Sequence, residues 1–418
     1  MRTNYTIIIL LLFSVVSASF AQSITIISIP WYFAEINKSS IFSLLYALIT
    51  FLGFFWGLYA GIIIDSINRK KILLIINFIN SVFFGSVGLL TVLYGVQHDM
   101  FFFLNFFLCS FYYIIFFPTL YAIIKELTHP LQYVKINSLV EVFFQTTTII
   151  AATICGVLLS GSDVISQYID VKLIPFEKWE IGEVFLLNSI MYLITAISML
   201  YIPYRPKSNT KTLSIKNTFN EFNVSLNFFK KNKSILIYGI CSQSIFGFLI
   251  VELFTLLPLF VKNCLNENIL VFSLADVTYA IGAIMAGFIT IKILNKIDTI
   301  SYTIFLIIIT GFSFLIMIKF INIYIFFLST LIVGITNSSA RITRMSYFFK
   351  KIPNNLMGRT NTIFNTINTA LRGCLILVFS IKWFAYKNHV IIGYKIGIYV
   401  LIVFAIILLW SNRKLYLK

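Results

Sequence analysis

Charged side chains are scarce in this sequence. Only 11% of its residues are Asp, Glu, Lys or Arg, whereas roughly a quarter of a soluble domain is charged. Hydrophobic residues make up 59%, and the mean hydropathy is +0.93. These values exclude a soluble domain with a single anchor and indicate a chain that crosses a membrane many times.

Negative charge is the scarcer sign, with 15 acidic residues against 32 lysines and arginines and a net charge of +17. A basic chain can bind nucleic acid, but here the cations are spread over many short polar segments. That spread is typical of loops at the surface of an anionic membrane. We therefore expect a lipid bilayer, and no nucleic acid, among the partners.

Cysteine and histidine are also few, at five and three residues. No two cysteines are close enough in sequence to form a metal-ligand pair. The sequence contains no Ser/His/Asp set, phosphate-binding loop or zinc pattern. We expect no enzyme activity, no metal and no cofactor, and a membrane-embedded enzyme stays only as an alternative.

What is abundant is the long apolar run. A helix needs about 20 apolar residues to cross a bilayer, and the sequence offers a dozen such runs. The first run resembles a signal peptide, but it continues through Tyr32 and so predicts an uncleaved first span. The predicted spans are 5–33, 41–65, 72–96, 101–125, 136–161, 184–204, 234–262, 269–294, 301–319, 321–343, 358–383 and 390–411.

A basic segment separates the first six spans from the last six. Residues 205–233 contain seven cations against the single acid Glu221, and an amphipathic helix is predicted near 219–229. This pattern predicts two six-helix halves, 1–204 and 234–418, joined by a cytoplasmic linker. The cations fall mainly on the linker side of the membrane, which predicts that both termini are cytoplasmic.

The longest predicted outer loop, residues 162–183, is acidic. Trp179 within it has the character of an interfacial anchor, because tryptophan is enriched at the membrane surface. A plain connecting loop and a segment that gates the substrate are both compatible with this composition.

A short charged segment between the second and third spans carries most of the family signal. It reads Gly61-Ile-Ile-Ile-Asp65-Ser-Ile-Asn68-Arg69-Lys70. It resembles the motif Gly-x-x-x-Asp-Arg-x-Gly-Arg-Arg/Lys of the major facilitator superfamily, with Ser66 in place of the first arginine and Asn68 in place of the last glycine. We expect Asn68 to keep the turn because asparagine tolerates left-handed backbone. The resemblance implies an all-α fold of twelve transmembrane helices in two bundles and a cytoplasmic gate at this loop.

Two further segments resemble the enterobactin-exporter and macrolide-efflux branch of that superfamily. Ile29-Pro30-Trp31 looks like the Leu-Pro-Trp of its first span. The segment that ends in Gly358-Arg359 looks like its Val-Pro-x-x-x-x-Gly-Arg, and it extends the predicted gate into the second half. This resemblance implies export of a drug or a siderophore.

An ionisable residue inside a span costs roughly 3 kcal/mol to insert, and four such residues stand out in this sequence. Glu252 is the preferred proton carrier, and the alternative is a structural ion pair between Glu252 and Arg372. Asp276 is a second candidate for proton coupling, but its place near a helix start favours a cap. Glu141 lies near the cytoplasmic surface, where a gate contact with Lys135 or Arg359 is expected.

Uncharged polar residues in the spans are candidates to line a substrate cavity. Asn361, Asn365 and Asn368 recur at helical spacing and share one face, which is too polar to face lipid. The full set of candidates is Gln22, Thr25, Gln145, Gln243, Asn361, Asn365 and Asn368.

These observations predict a secondary transporter that works by alternating access and exports a small amphipathic compound, with protons as the coupling ion. The alternatives are an importer of a nutrient or peptidoglycan fragment and a lysophospholipid flippase. We expect a monomer in a bacterial inner membrane. The sequence leaves the substrate and the direction of transport open.

Overall fold

The computed structural model describes residues 5–127, 133–166, 175–204, 228–353 and 357–416, and every regular element in these ranges is helical. Ten of the helical segments are long and apolar enough to cross a membrane, and two further helices have shorter described apolar segments, Ser39–Gly53 and Ile363–Phe379. The prediction of an all-α chain with twelve spans is therefore confirmed. The helices are α1 Tyr5–Glu35, α2 Ser39–Ser66, α3 Arg69–Tyr94, α4 Asp99–Leu127, α5 Tyr133–Ser160, α6 Ile181–Leu200, α7 Lys233–Leu265, α8 Ile269–Leu294, α9 Thr299–Lys319, α10 Ile323–Lys351, α11 Met357–Phe379 and α12 Val390–Tyr416.

Most helix ends agree with the predicted spans to within a few residues, but α10 does not. The apolar run predicted an end at residue 343, whereas the helix continues to Lys351. Hydropathy identifies only the apolar length of a helix that lies within the membrane. The last two turns of α10 carry polar and basic side chains, so the hydropathy pattern does not include them. Most of the predicted linker, residues 205–227, lies outside the described residues.

Side-chain caps explain several helix starts. The Asn68 side chain accepts hydrogen bonds from the backbone N–H groups of Lys70 and Lys71, at 3.0 and 3.4 Å. Its φ of −57° is not left-handed, so the predicted reason for asparagine at this position is wrong. Asn68 instead satisfies the free N–H groups at the start of α3, as Asp298 does for α9.

The chain divides into two compact units, and α2 and α8 each contribute to both. The halves predicted from sequence, 1–204 and 234–418, stay a prediction. Unit 1 comprises Met1–Ile36, Leu52–Thr212 and Asn268–Ser273, and unit 2 comprises Asn37–Phe51, Leu213–Glu267 and Leu274–Lys418.

The same helix pairings occur inside each unit. In unit 1, α1 packs against α5 and α6, and α3 packs against α4 and α6. In unit 2, α7 packs against α11 and α12, and α9 packs against α10 and α12. Each pairing in unit 2 is the unit 1 pairing shifted by six helices. The fold is thus an internal repeat, and corresponding positions in the two units can be compared.

Small residues bring α8 and α10 into close contact in unit 2. A Cβ atom added at Gly282 would lie 2.1 Å from the Leu331 carbonyl oxygen, and one at Gly334 would lie 2.0 Å from that of Tyr279. The opposing atoms belong to backbone that cannot rotate away, so both positions require glycine. The Thr278 hydroxyl lies 2.5 Å from the Thr330 hydroxyl across the same contact. Close packing of small residues of this kind stabilises helix pairs in lipid.

Candidate functional site

The α7 helix is interrupted at Ser242 and Gln243, between helical segments Lys233–Cys241 and Ser244–Val251. The Arg344 guanidinium of α10 donates a hydrogen bond to the Ser242 carbonyl oxygen at 3.1 Å. The Asn368 amide of α11 donates to the Gln243 carbonyl oxygen, also at 3.1 Å. Irregular backbone at membrane depth needs such partners, because lipid offers none. Two of the predicted cavity residues, Gln243 and Asn368, are therefore brought together here.

Glu252 lies nine residues beyond Gln243, about 13 Å further along α7 at the usual helical rise. Its side chain is only 5% exposed, and its carboxylate accepts a hydrogen bond from the Tyr394 hydroxyl of α12 at 2.8 Å. Among the side chains that the structure describes, it is the only Asp, Glu, Lys or Arg that is buried from solvent. The residue chosen from sequence as the proton carrier is thus the most deeply buried charge-bearing group described.

The backbone around Glu252 is a π-helical turn, Glu252–Leu256, in which the Leu257 N–H bonds to the Glu252 carbonyl oxygen. Pro258 follows directly and has no N–H to offer the Phe254 carbonyl, so the regular α-helical pairing cannot continue there. π-Helical turns of this kind occur frequently at functional sites. The local sequence therefore places Glu252 at an irregularity of the helix.

Arg372 of α11 does not pair with Glu252. Its guanidinium donates to the Thr369 hydroxyl at 3.0 Å and lies 5.7 Å from the centre of the Phe246 ring. Its buried Nε atom has no hydrogen-bond partner. No ion pair joins the two side chains in the part of the chain that the structure describes, so the structural pair considered from sequence is not formed.

The remaining unit 2 candidates are more dispersed. Asp276 lies seven residues after the start of α8 and is not a cap. That prediction was wrong because a capping side chain must lie next to the first turn, whereas Asp276 lies almost two turns inside the helix. The Asn268 side chain takes the capping role instead, accepting from the Leu270 N–H at 2.9 Å. Asn365 is exposed, and the side chain of Asn361 lies outside those described.

In unit 1 the buried interhelical hydrogen bonds that the structure describes join neutral groups. The Asn188 amide of α6 donates to the Thr25 hydroxyl of α1 at 2.9 Å, and both side chains are fully buried. Gln22 is also buried, and its Oε1 atom has no hydrogen-bond partner. The Tyr112 hydroxyl donates to Asn77 at 3.0 Å. The predicted cavity residues Gln22 and Thr25 therefore lie in the interior of unit 1, in a network without charge.

Glu141 and Gln145, two further candidates, bond to each other on α5. The Gln145 amide donates to the Glu141 carboxylate at 3.0 Å, one helical turn away. Neither side chain is fully buried. The gate partners considered for Glu141, Lys135 and Arg359, have side chains outside those described.

Of the predicted gate motif, the structure describes the side chains of Arg69 and Lys70. Arg69 at the start of α3 forms an ion pair with Glu126 near the end of α4, and the Tyr204 hydroxyl donates to the same carboxylate. Burial and this hydrogen bond raise the pKa of Tyr204 to about 12. The Lys70 ammonium donates to the carbonyl oxygens of Leu200 and Ile202 at 2.9 and 2.7 Å, at the end of α6.

The other gate residues, Gly61, Asp65, Gly358 and Arg359, lie in α2 and α11, and their side chains are outside those described. Among the described residues, no group of three or more His, Cys, Asp or Glu side chains could hold a metal ion.

The sequence profile of the Major Facilitator Superfamily matches residues 11–375 of the chain. The chain belongs to the Major Facilitator Superfamily. It is therefore a membrane transporter, since this family consists of transporters. The comparison with curated protein sequences gave no match. The narrower resemblance to the enterobactin-exporter and macrolide-efflux branch stays a prediction.

Solved structures of other facilitators share the fold. A mutant of the nucleoside transporter NupG is 14% identical, with a TM-score of 0.73 and coverage of 98% of this chain and 100% of the other. A bacterial homolog of the human lysosomal transporter Spinster is 13% identical, with a TM-score of 0.70 and coverage of 98% and 96%. The POT family transporter PepTSo is 10% identical, with a TM-score of 0.67 and coverage of 99% and 98%. At this identity the likeness extends to the fold alone.

The sequence analysis did not predict the roles of Arg344, Tyr394 and Asn188. Each of these side chains donates a hydrogen bond to a neighbouring helix inside its unit. A signal for Arg344 was present, because Asn337, Arg341 and Arg344 recur at helical spacing and form one polar face. That face continues α10 beyond its apolar part. Tyr394 and Asn188 carry no comparable signal, since single polar residues in apolar runs are common.

Proposed function

We propose that this facilitator couples the movement of a proton to the export of a small amphipathic compound, with Glu252 as the proton carrier. The observation that carries the proposal is the burial of Glu252 with one neutral hydrogen-bond donor, Tyr394, and no cationic partner among the described side chains. Because no cation balances the carboxylate, proton uptake removes a buried charge and proton release restores it. Such a group responds to the proton gradient across the membrane.

The substrate contacts that we propose lie on α7 and α11, at Gln243, Asn368 and Arg372. Arg372 offers an Nε donor without a partner close to the apolar ring of Phe246. A donor beside an aromatic ring suits a compound with a hydrogen-bond acceptor and an apolar body. The interrupted backbone of α7 supports this placement, because broken helices form substrate sites in many transporters.

We further propose that Gly61, Asp65, Arg69 and Lys70, with Gly358 and Arg359, form the cytoplasmic gate. The ion pair between Arg69 and Glu126 supports a charge network at this end of unit 1. In this proposal both termini are cytoplasmic, and the membrane is a bacterial inner membrane.

The test uses proteoliposomes that contain the purified chain and a panel of fluorescent amphipathic dyes with positive, zero and negative charge. Glu252→Gln keeps the shape and burial of the side chain but cannot release a proton. We expect it to reduce proton-driven dye transport at least about tenfold while leaving dye exchange without a gradient intact. Glu177→Gln, which removes an exposed loop carboxylate, is the matched control and is expected to transport normally.

Normal proton-driven transport by Glu252→Gln would reject Glu252 as the proton carrier. Net accumulation in the opposite direction would favour the importer, with nucleosides among the compounds to try, since NupG is a nucleoside transporter. Redistribution of a fluorescent lysophospholipid, with no movement of any dye, would favour the flippase.

A further inference from the structure

A cavity of about 500 Å³ lies in unit 1, at the end opposite Arg69. Its walls are the last turns of α1, the first turn of α6 and the segment just before α6. The transport site proposed above does not use any of its residues. The volume is in the range that holds a drug-sized molecule.

Backbone hydrogen bonds hold the loop wall of this cavity in place. The Trp179 N–H donates to the Leu158 carbonyl oxygen at 2.9 Å, and the Ser162 N–H donates to that of Phe176 at 3.2 Å. Gly161 lies between these two contacts in the chain and has a left-handed φ of 78°. A Cβ atom at this position would lie 3.1 Å from the backbone nitrogen of Lys178. Residues 175–179 are therefore anchored against the end of α5, and they form a fixed wall.

A buried hydroxyl on the cavity wall has no partner. Ser28 is only 1% exposed, and its Oγ atom makes no hydrogen bond. Most serines in helices satisfy the hydroxyl by bonding to a carbonyl one turn earlier, and a buried hydroxyl without any partner costs free energy. The Oγ atom is itself enclosed by protein, so Ser28 contributes to the wall of the cavity and its hydroxyl is not counted as a ligand contact.

Aromatic rings and an excess of carboxylate give the cavity its chemical character. Trp31, Tyr32 and Trp179 line it. The ionisable side chains on the wall are Glu35, Lys178 and Glu180, and Lys178 already pairs with Glu35 at 3.0 Å. Among the charged side chains described on the wall, carboxylates therefore outnumber cations by one. Aromatic faces combined with a carboxylate are the usual means of binding organic cations.

We propose that this cavity binds an amphipathic organic cation, whose apolar body contacts Trp31 and Trp179 and whose positive charge lies near Glu180 and Glu35. This second site does not depend on the role of Glu252, because the two lie in different units and share no residue.

The test measures how fast a single cysteine introduced at the cavity reacts with a maleimide. Gln97 is exposed and lines the cavity, so Gln97→Cys is made in a Cys374→Ser background that removes the only exposed cysteine of the described chain. Maleimide labelling is followed with and without tetraphenylphosphonium. His98→Cys, an exposed neighbour that does not line the cavity, is the control and is expected to label at the same rate with or without the cation.

The charge variants give effects of opposite sign. We expect Glu35→Gln to raise the half-protecting concentration of tetraphenylphosphonium about threefold and Lys178→Gln to lower it by a similar factor, as for surface charges. Trp179→Ala is expected to raise it about tenfold through the lost aromatic contact. Glu252→Gln is expected to leave it unchanged.

Absence of protection at millimolar concentrations of the cation would overturn the proposal. So would a shift of the same sign in Glu35→Gln and Lys178→Gln, because a cation site must respond oppositely to the loss of an acid and a base. Equal protection of the His98→Cys control would also overturn it, since it would assign the effect to the surrounding lipid.

Discussion

In each unit a buried hydrogen bond joins the first and sixth helices five or six residues before a proline of the first helix, and the chemistry of this bond differs between the units. In unit 1 the Asn188 amide donates to the Thr25 hydroxyl at 2.9 Å. In unit 2 the Tyr394 hydroxyl donates to the Glu252 carboxylate at 2.8 Å. The helix pair and the bond length are alike, but only the second bond involves a group that can release a proton. We expect the bond in unit 1 to serve packing, and the bond in unit 2 is the one at which we propose proton transfer.

The backbone of the first helix is also regular in unit 1 and irregular in unit 2. Thr25 comes five residues before Pro30 of α1, and Glu252 comes six residues before Pro258 of α7. α1 nonetheless remains α-helical through its proline, whereas α7 is interrupted at Ser242 and contains two π-helical turns. The irregular helix needs side chains from α10 and α11 to satisfy its carbonyl groups. Unit 1 has no described counterpart of that arrangement in α1.

The strongest test of this difference is Arg344→Ala. Loss of the guanidinium leaves the Ser242 carbonyl without its donor in an apolar region, so we expect the free energy of unfolding to fall by about 1 to 3 kcal/mol. Thermal unfolding in detergent measures the change. Lys350→Ala removes an exposed cation from the same helix and is expected to change stability little. Equal stability of the two variants would mean that the break in α7 does not need Arg344.

A smaller effect is expected from Tyr394→Phe. This change removes the donor to Glu252 but keeps the ring, and a hydrogen bond of about 1 kcal/mol corresponds to roughly a fivefold change. We therefore expect proton-driven transport in proteoliposomes to fall about fivefold. The matched control in unit 1 is Tyr192→Phe, another fully buried tyrosine on a sixth helix. A similar loss in both variants would remove the functional distinction between the units.

The smallest effect is expected at the neutral bond itself. In a double-mutant cycle with Thr25→Val and Asn188→Leu, we expect a coupling energy of about 0.6 kcal/mol, the average for hydrogen bonds between membrane helices. Transport should stay within about twofold of the native rate, because no titratable group is involved. Stability and dye transport are measured on the same preparations. A large loss of transport would place part of the mechanism in unit 1.

The sequence alone determined the spans, because hydropathy over about 20 residues is a local property of the chain. It also singled out Glu252, since a carboxylate in an apolar run is costly wherever its neighbours lie. The start of α3 was readable at Asn68 for a similar reason, although the cap and not a left-handed turn explains it. In each case the physical cause lies within one helix or one loop.

Only the tertiary structure decided which groups meet. Arg344 reaches the carbonyl of Ser242 from 102 positions away in sequence, and Tyr394 reaches Glu252 from 142. Arg372 bonds within its own helix and not to Glu252, which opposite charge alone did not predict. These contacts follow from how α7, α10, α11 and α12 rotate and pack against one another. Periodicity within one helix carries no information on that rotation, so distant partners could not be assigned from the sequence.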